Sequence, residues 1–168
     1  NVPVALGGYL NYINIKDVDY VYEANYEMLT LGKAKFGEEE LKVAEHVVGL
    51  LRDGDCLQIG IGGLPNAIGS EIAKSDLKDL GVHTEMYVDA FVDMAKAGNI
   101  TGMKKNRDIG RQTYAFAAGS QELYDYVDHN EELMAVPVRY ANDVDVIASL
   151  DNFVSINTAM QVDLWGQI

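Results

Sequence analysis

One stretch constrains the fold more than any other: Asp55 to Met86, DCLQIGIGGLPNAIGSEIAKSDLKDLGVHTEM. An apolar strand from Cys56 to Ile61 runs into a glycine turn at Gly60, Gly62 and Gly63. A helix opens at Pro65 and continues to about Ala73, and a second strand follows from Gly81 to Met86. Proline suits a first helical turn, because the N–H that it lacks would have had no partner there. A strand, a tight turn and a helix N-terminus together bring backbone N–H groups to the carboxyl edge of a sheet, where open α/β sheets bind ligands. The second strand carries one acid near its end, Glu85, which is expected to face the same crevice. His83 shares that face, while Thr84 and Met86 point the other way.

The glycines alone do not specify a ligand. The turn lacks the Gly-Lys-Ser/Thr of a P-loop, and Pro65 stands where a dinucleotide fingerprint requires its third glycine. As a bare motif it is equally compatible with a structural turn. Glu85 lies 25 residues after Gly60, near the ~20-residue spacing of a ribose-binding acid, so a dinucleotide-binding module stays open as an alternative. His83, taken alone, reads as a satisfied structural histidine.

The remaining chain continues the alternation of strands and helices. Glu38 to Arg52 is an amphipathic helix with Ala44, Val47, Val48 and Leu51 on one stripe. Glu38, Glu39 and Glu40 fall in its first turn, where the dipole favours acids and no metal-ligand spacing is present. Asp53-Gly54 ends it, and His46 lies toward its surface. A helix over Ala90 to Lys96, a strand over Thr113 to Ala117, a helix over Gln121 to Asp128 and a strand over Glu132 to Val138 complete an α/β layered, Rossmann-like domain with a mixed, mainly parallel sheet. Asn142 then precedes a helix over Asp143 to Ser149, an N-cap position for asparagine. Phe153 to Leu164 reads as a strand pair. Upstream, Val2, Val4 and Leu6 alternate before Gly7-Gly8, and Asp17 to Tyr22 is a further short strand. Tyr9, Tyr12, Tyr20, Tyr22 and Tyr26 are assigned to packing, with an aromatic ligand platform as the alternative.

Charge and composition narrow the partners. A net charge of −13 over 168 residues argues against nucleic acid, whose phosphates call for clustered Lys and Arg. No apolar run approaches the ~20 residues of a membrane span and no signal peptide is evident, so a cytoplasmic protein without membrane association is expected. The single cysteine, Cys56, lies in a strand pattern and is assigned to the core. Lys104, Lys105, Arg107 and Arg111 form the one concentrated basic stretch, either a solvated loop or a contact for anionic phosphates.

Five segments carry a resemblance to a known family: DGDCLQIGIGGLPNAI from Asp53, DLGVHTEM from Asp79, GNITGMKK from Gly98, FAAGSQELYDYVDHN from Phe116, and NDVDVIASLDNFVSINTAMQVDLWGQ from Asn142. In this order, they resemble the acetyl-CoA hydrolase/transferase family, nearest its butyrate and 4-hydroxybutyrate CoA-transferase branch. The resemblance implies that residues 1–36 close a preceding α/β domain and cross over. Residues 37–168 would form a CoA-transferase domain truncated before a further glycine-rich segment, leaving the isolated chain with doubtful activity.

The same resemblance implies coenzyme A as acyl-CoA substrate, short-chain carboxylates such as butyrate, 4-hydroxybutyrate and acetate, and no metal. Glu85 would be the nucleophile, forming a glutamyl-CoA thioester, and Asn142 would share the active site. Gly60-Ile61-Gly62-Gly63-Leu64 and Met160 would contact CoA. An acyl-CoA hydrolase is the alternative within the family. A homo-oligomer is also expected.

Overall fold

The computed structural model describes residues 3–168; Val2, the first residue of the expected alternating run, lies outside them. The elements in chain order are β1 (Gly7–Gly8), α1 (Glu38–Val48), β2 (Cys56–Ile59), α2 (Gly63–Lys74), β3 (Gly81–Tyr87), α3 (Asp89–Ala97), β4 (Gln112–Ala117), α4 (Gln121–Val127), β5 (Leu133–Ala135), α5 (Val138–Ala141), α6 (Val144–Ala148) and β6 (Phe153–Ile156). The six strands form one sheet in the order β1-β5-β4-β3-β2-β6. The α/β layering is as expected. A mixed, mainly parallel sheet was expected, and every pairing among the described residues is parallel.

Parallel neighbours need a crossover, and here the crossovers are helices. From β2 to β5 the chain steps one way across the sheet, through α2, α3 and α4 in turn. It then returns to lay β6 on the far side of β2, in register Cys56↔Phe153 to Ile59↔Ile156. The direction of winding therefore reverses between β2 and β6, which is where open α/β sheets form a crevice at their carboxyl edge.

The core lies between the sheet and one layer of helices. Leu57, Ile59 and Val82 point into it from the strands and meet Ala67, Ile68 and Ile72 of α2 and Phe91 and Met94 of α3, all buried. Alpha-helix α1 adds Ala44 to that layer and packs on α2. Its acidic first turn is a helix start, as read from the sequence: the Glu40 carboxylate accepts from Gly37 N–H at 2.8 Å. Cys56 is buried, and burial pushes its thiol pKa up to about 11, which suits a core residue. The opposite face of the sheet is thinly covered. Helix α5 packs there, against β3 and β4.

Three expectations need correction. The strand read over Glu132 to Val138 ends at Ala135, because Pro137, with φ −58°, starts the single turn of α5. The strand pair over Phe153 to Leu164 is one strand, Phe153–Ile156, followed by an exposed, irregular segment. Asp17 to Tyr22 is not a strand; Ile15–Asp17 is a 3-10 turn capped by the Asn14 side chain. The upstream tyrosines accordingly pack in no layer formed by the described residues. Tyr9, Tyr12, Tyr20, Tyr22 and Tyr26 are exposed, the ring of Tyr9 lying 6.1 Å from that of Tyr140. No helix among the described residues is long and apolar enough to cross a membrane.

Candidate active site

Strand β3 carries the site. Its even-numbered residues Val82 and Thr84 face the helix layer and are buried, while His83 and Glu85 face the other side. His83 is covered by α5 and only 1% exposed, whereas Glu85 is open to solvent. Glu85 has small neighbours on both sides. The β3–β4 register sets it beside Ala115, and the β2–β3 register, carried on from Leu57↔Val82, sets it beside Gly60. Space above the carboxylate is therefore kept clear by the sheet itself.

Asn142 reaches Glu85 from the covering layer. Its Nδ2 donates to Glu85 Oε2 at 2.7 Å, across 57 residues of sequence. The expected N-cap role is incorrect: Asn142 is the C-cap of α5, at φ −103° and ψ 9°. The N-cap of α6 is Asp143, whose carboxylate accepts from Asp145 N–H and Val146 N–H at 2.9 and 3.0 Å. The Asn142 side chain is thus free of capping duty and engaged with the acid. One Glu85 oxygen is tied down by an amide donor, which leaves the other for chemistry.

The glycine turn lies at the carboxyl end of β2, beside this face. Gly62 holds φ +131°, a conformation other residues rarely adopt, and caps α2 with its carbonyl accepting from Asn66 N–H at 3.1 Å. Gly63 is small for a different reason. A Cβ there would stand 2.7 Å from the Lys35 carbonyl, so this glycine accommodates the chain's own residues 35–36. The reading of Gly63 as room for a ligand is therefore not what its surroundings favour. Gly60, whose Cβ would stand 3.1 Å from Asn157 Oδ1, borders the Glu85 face, and Ile61 is half exposed beyond it. Leu64 is half-buried, packed against the core. Met160 is 98% exposed in the segment after β6.

Sequence reasoning missed a polar cluster on this same face. Gln58 Nε2 donates to Asn157 Oδ1 at 3.1 Å, Asn157 Nδ2 donates back to Gln58 Oε1 at 2.9 Å, and the Ser155 hydroxyl also donates to Gln58 Oε1. Parity could have revealed Gln58, the polar residue in an otherwise apolar strand, two positions before Gly60. Its partners could not be foreseen, because β6 pairs with β2 only after the chain has crossed the whole sheet.

The basic stretch does not gather at the site. It belongs to the loop leading into the start of β4, at the amino edge, opposite the glycine turn. Lys105 is buried, its ammonium donating to Val82 O, Arg111 O and Thr113 Oγ1 at 2.9, 2.8 and 3.1 Å. Arg107 Nε donates to Ser149 Oγ at 3.1 Å. Burial lowers the Lys105 pKa, but three acceptors hold its protons. A phosphate contact by Lys105 is therefore excluded by its surroundings.

Comparison with known proteins agrees with this geometry. Residues 119–168 match the model of the acetyl-CoA hydrolase/transferase C-terminal domain. The butyryl-CoA:acetate CoA-transferase of Anaerostipes caccae is 56% identical over 100% of this chain, and the 4-hydroxybutyrate coenzyme A transferase of Clostridium kluyveri is 38% identical over 100%. The chain spans 38% of the length of each of these relatives. Among solved structures, RipA from Yersinia pestis superposes with a TM-score of 0.89 at 36% identity, covering 95% of this chain and 37% of that one. With a parallel sheet that reverses its winding beside a glycine turn, and a sequence match running from end to end, the chain belongs to the acetyl-CoA hydrolase/transferase family.

Proposed function

We propose that the protein carrying this chain is a CoA-transferase that moves CoA between short-chain carboxylic acids, butyrate or 4-hydroxybutyrate and acetate, through a glutamyl-CoA thioester on Glu85. The observation that carries this reading is the 2.7 Å hydrogen bond from Asn142 to an exposed glutamate beside the glycine turn. Residues 37–168 are then most of a catalytic domain, and residues 1–36 the end of a preceding one. The reading extends to a cytoplasmic homo-oligomer whose ligands are acyl-CoA and a carboxylate, with no metal required.

The chemistry follows from a fixed carboxylate with one free oxygen. That oxygen attacks the thioester carbonyl, the C–S bond breaks, and an acyl-glutamyl anhydride and CoA thiolate result. The thiolate attacks the Glu85 carbonyl, releasing the first acid and leaving the glutamyl-CoA thioester. The acceptor carboxylate attacks that thioester, giving a second anhydride and thiolate. The thiolate then attacks the acceptor's acyl carbon, forming new acyl-CoA and freeing Glu85. Charge develops on a carbonyl oxygen at each attack, and the Asn142 amide and N–H groups at the turn are the donors nearest to hand; one such donor typically supplies ~2.7–4 kcal/mol. Gly60 and, through CoA contacts, Ile61, Gly62, Leu64 and Met160 complete the proposed site.

The openness of Glu85 favours one second reading, acyl-CoA hydrolysis, in which water takes the acceptor's place. The test uses a protein spanning the full length of its relatives. Incubated with butyryl-CoA and no acceptor, it should hold CoA covalently, and borohydride should reduce the thioester so that the peptide bearing Glu85 loses mass. Glu85→Gln should abolish both the adduct and the exchange. An unmodified Glu85 in protein that turns over acyl-CoA would end the covalent reading, and release of free acid without acetate would favour the hydrolase.

A further inference from the structure

His83 takes no part in the chemistry above, yet it is a buried polar residue two positions from the nucleophile. Its Nε2 lies 2.9 Å from the Ala141 carbonyl. A carbonyl only accepts, so Nε2 carries a proton, and burial lowers the ring's pKa, which favours the neutral form. Its Nδ1 is then a buried acceptor without a partner. A purely apolar side chain would fill the same space without that orphan atom. What the imidazole adds is the one bond it makes.

That bond has a particular address. Ala141 is the last residue of α5, and the next residue, Asn142, donates to Glu85. His83 and Glu85 stand on the same face of β3, so His83 ties the strand that bears the acid to the helix end that bears its donor. The rest of α5 is held as well. The ring of Tyr140 lies 6.1 Å from that of His83, and the Tyr140 hydroxyl donates to Asp108 at 3.1 Å. Phe153 of β6 closes the other side, 6.3 Å away, edge to face.

We infer that His83 is a positioning residue, whose hydrogen bond to Ala141 sets the distance between Asn142 and Glu85. This rests on the proposed role of Glu85 as nucleophile. Burial lowers the His83 pKa and so favours the neutral ring.

The test compares three variants in a protein of the relatives' full length, assayed for acyl-CoA:acetate exchange. His83→Leu keeps the volume and removes the donor. It should lower kcat by about tenfold to a hundredfold, as expected for a misplaced reacting pair, while KM for acyl-CoA stays within about twofold of wild type. His83→Gln can place an amide N–H near the Nε2 position and should recover kcat to within about threefold. A packing role would show the reverse: Leu active, Gln impaired. Glu85→Gln separates the two readings. If it keeps its exchange activity, the nucleophile assignment fails; if it is dead while His83→Leu turns over at the wild-type rate, only the inference about His83 fails. Should His83→Leu not fold, His83→Asn replaces it, since its shorter amide stops short of Ala141. Nitrogen-15 NMR of the native imidazole checks the bond directly, and a proton on Nδ1 instead of Nε2 would overturn the inference whatever the variants do.

Discussion

Replacing Asn142 by aspartate changes one group and almost nothing else. The side chain keeps its shape, the helix end keeps its backbone, and the N-cap of α6 is untouched because Asp143 provides it. Lost is the N–H that donates to Glu85 Oε2 at 2.7 Å, and a second carboxylate oxygen is put in its place. Both residues are exposed, so the acids can turn apart into water, and stability should change by no more than about 0.5 kcal/mol, as for ordinary surface substitutions. The rate should suffer far more. Removing one preorganised donor costs about 10²–10³ in kcat, and here the same change also frees the nucleophile to swing. The assay is acyl-CoA:acetate exchange with a melting curve on the same sample. The double variant Glu85→Gln/Asn142→Asp restores an amide-to-carboxylate bond with the partners exchanged, and it should melt like wild type yet remain inactive. An Asn142→Asp protein with more than half the wild-type kcat would refute the reasoning.

Two further outcomes are expected. The glycines of the turn should separate by role: Gly63→Ala drives a Cβ to 2.7 Å from the Lys35 carbonyl and should lower the melting temperature, whereas Gly60→Ala, facing the Asn157 side chain at 3.1 Å and the Ile156 carbonyl at an ordinary 3.9 Å, should melt nearly normally and lose CoA affinity by calorimetric titration; equal melting temperatures for the two would contradict this. The His83 pKa is lowered, by burial first and by Lys105 and Arg107 nearby, against the opposing effects of the Ala141 carbonyl and Asp108. A depressed pKa means that the unfolded chain takes up a proton before the folded one does, so this contribution to stability is complete above the ordinary value of 6.5 and is lost as pH falls from there through the folded pKa. His83→Gln, which does not titrate, should therefore show a shallower fall in melting temperature over that acid range than wild type, and parallel curves would count against it.

How far the sequence could be read depended on the range over which each feature is determined. Helices α1 to α4 and strands β2 to β4 carry their own signals: an apolar stripe every three to four residues, alternation on the strands, and a proline or acid at the helix start. Their placement agrees with expectation to within a few residues. Glu85 could be found because strand parity and the glycine turn are local. Asn142 could be named only through family resemblance, and its local reading as an N-cap was wrong because a one-turn helix, too short for any periodicity, stands before it. Gln58, Ser155 and Asn157 meet through the β2–β6 pairing, which joins residues 97 and 99 positions apart and which no local pattern encodes. Lys105 looked like part of a basic patch. Only the fold shows its stem lying over Gly81, where a Cβ would come within 2.6 Å of it.

The same one-turn helix explains how one strand can hold a buried histidine and an open glutamate on a single face. Successive residues on a face of β3 are about 6–7 Å apart. Helix α5 has four residues and rises only about 6 Å, so it covers the position of His83 and stops short of Glu85. Asn142 ends it with its backbone and turns its side chain back onto the acid that the helix leaves uncovered. Without this turn His83 would lose its cover and the Ala141 carbonyl, and Asn142 would lose the backbone from which it reaches Glu85.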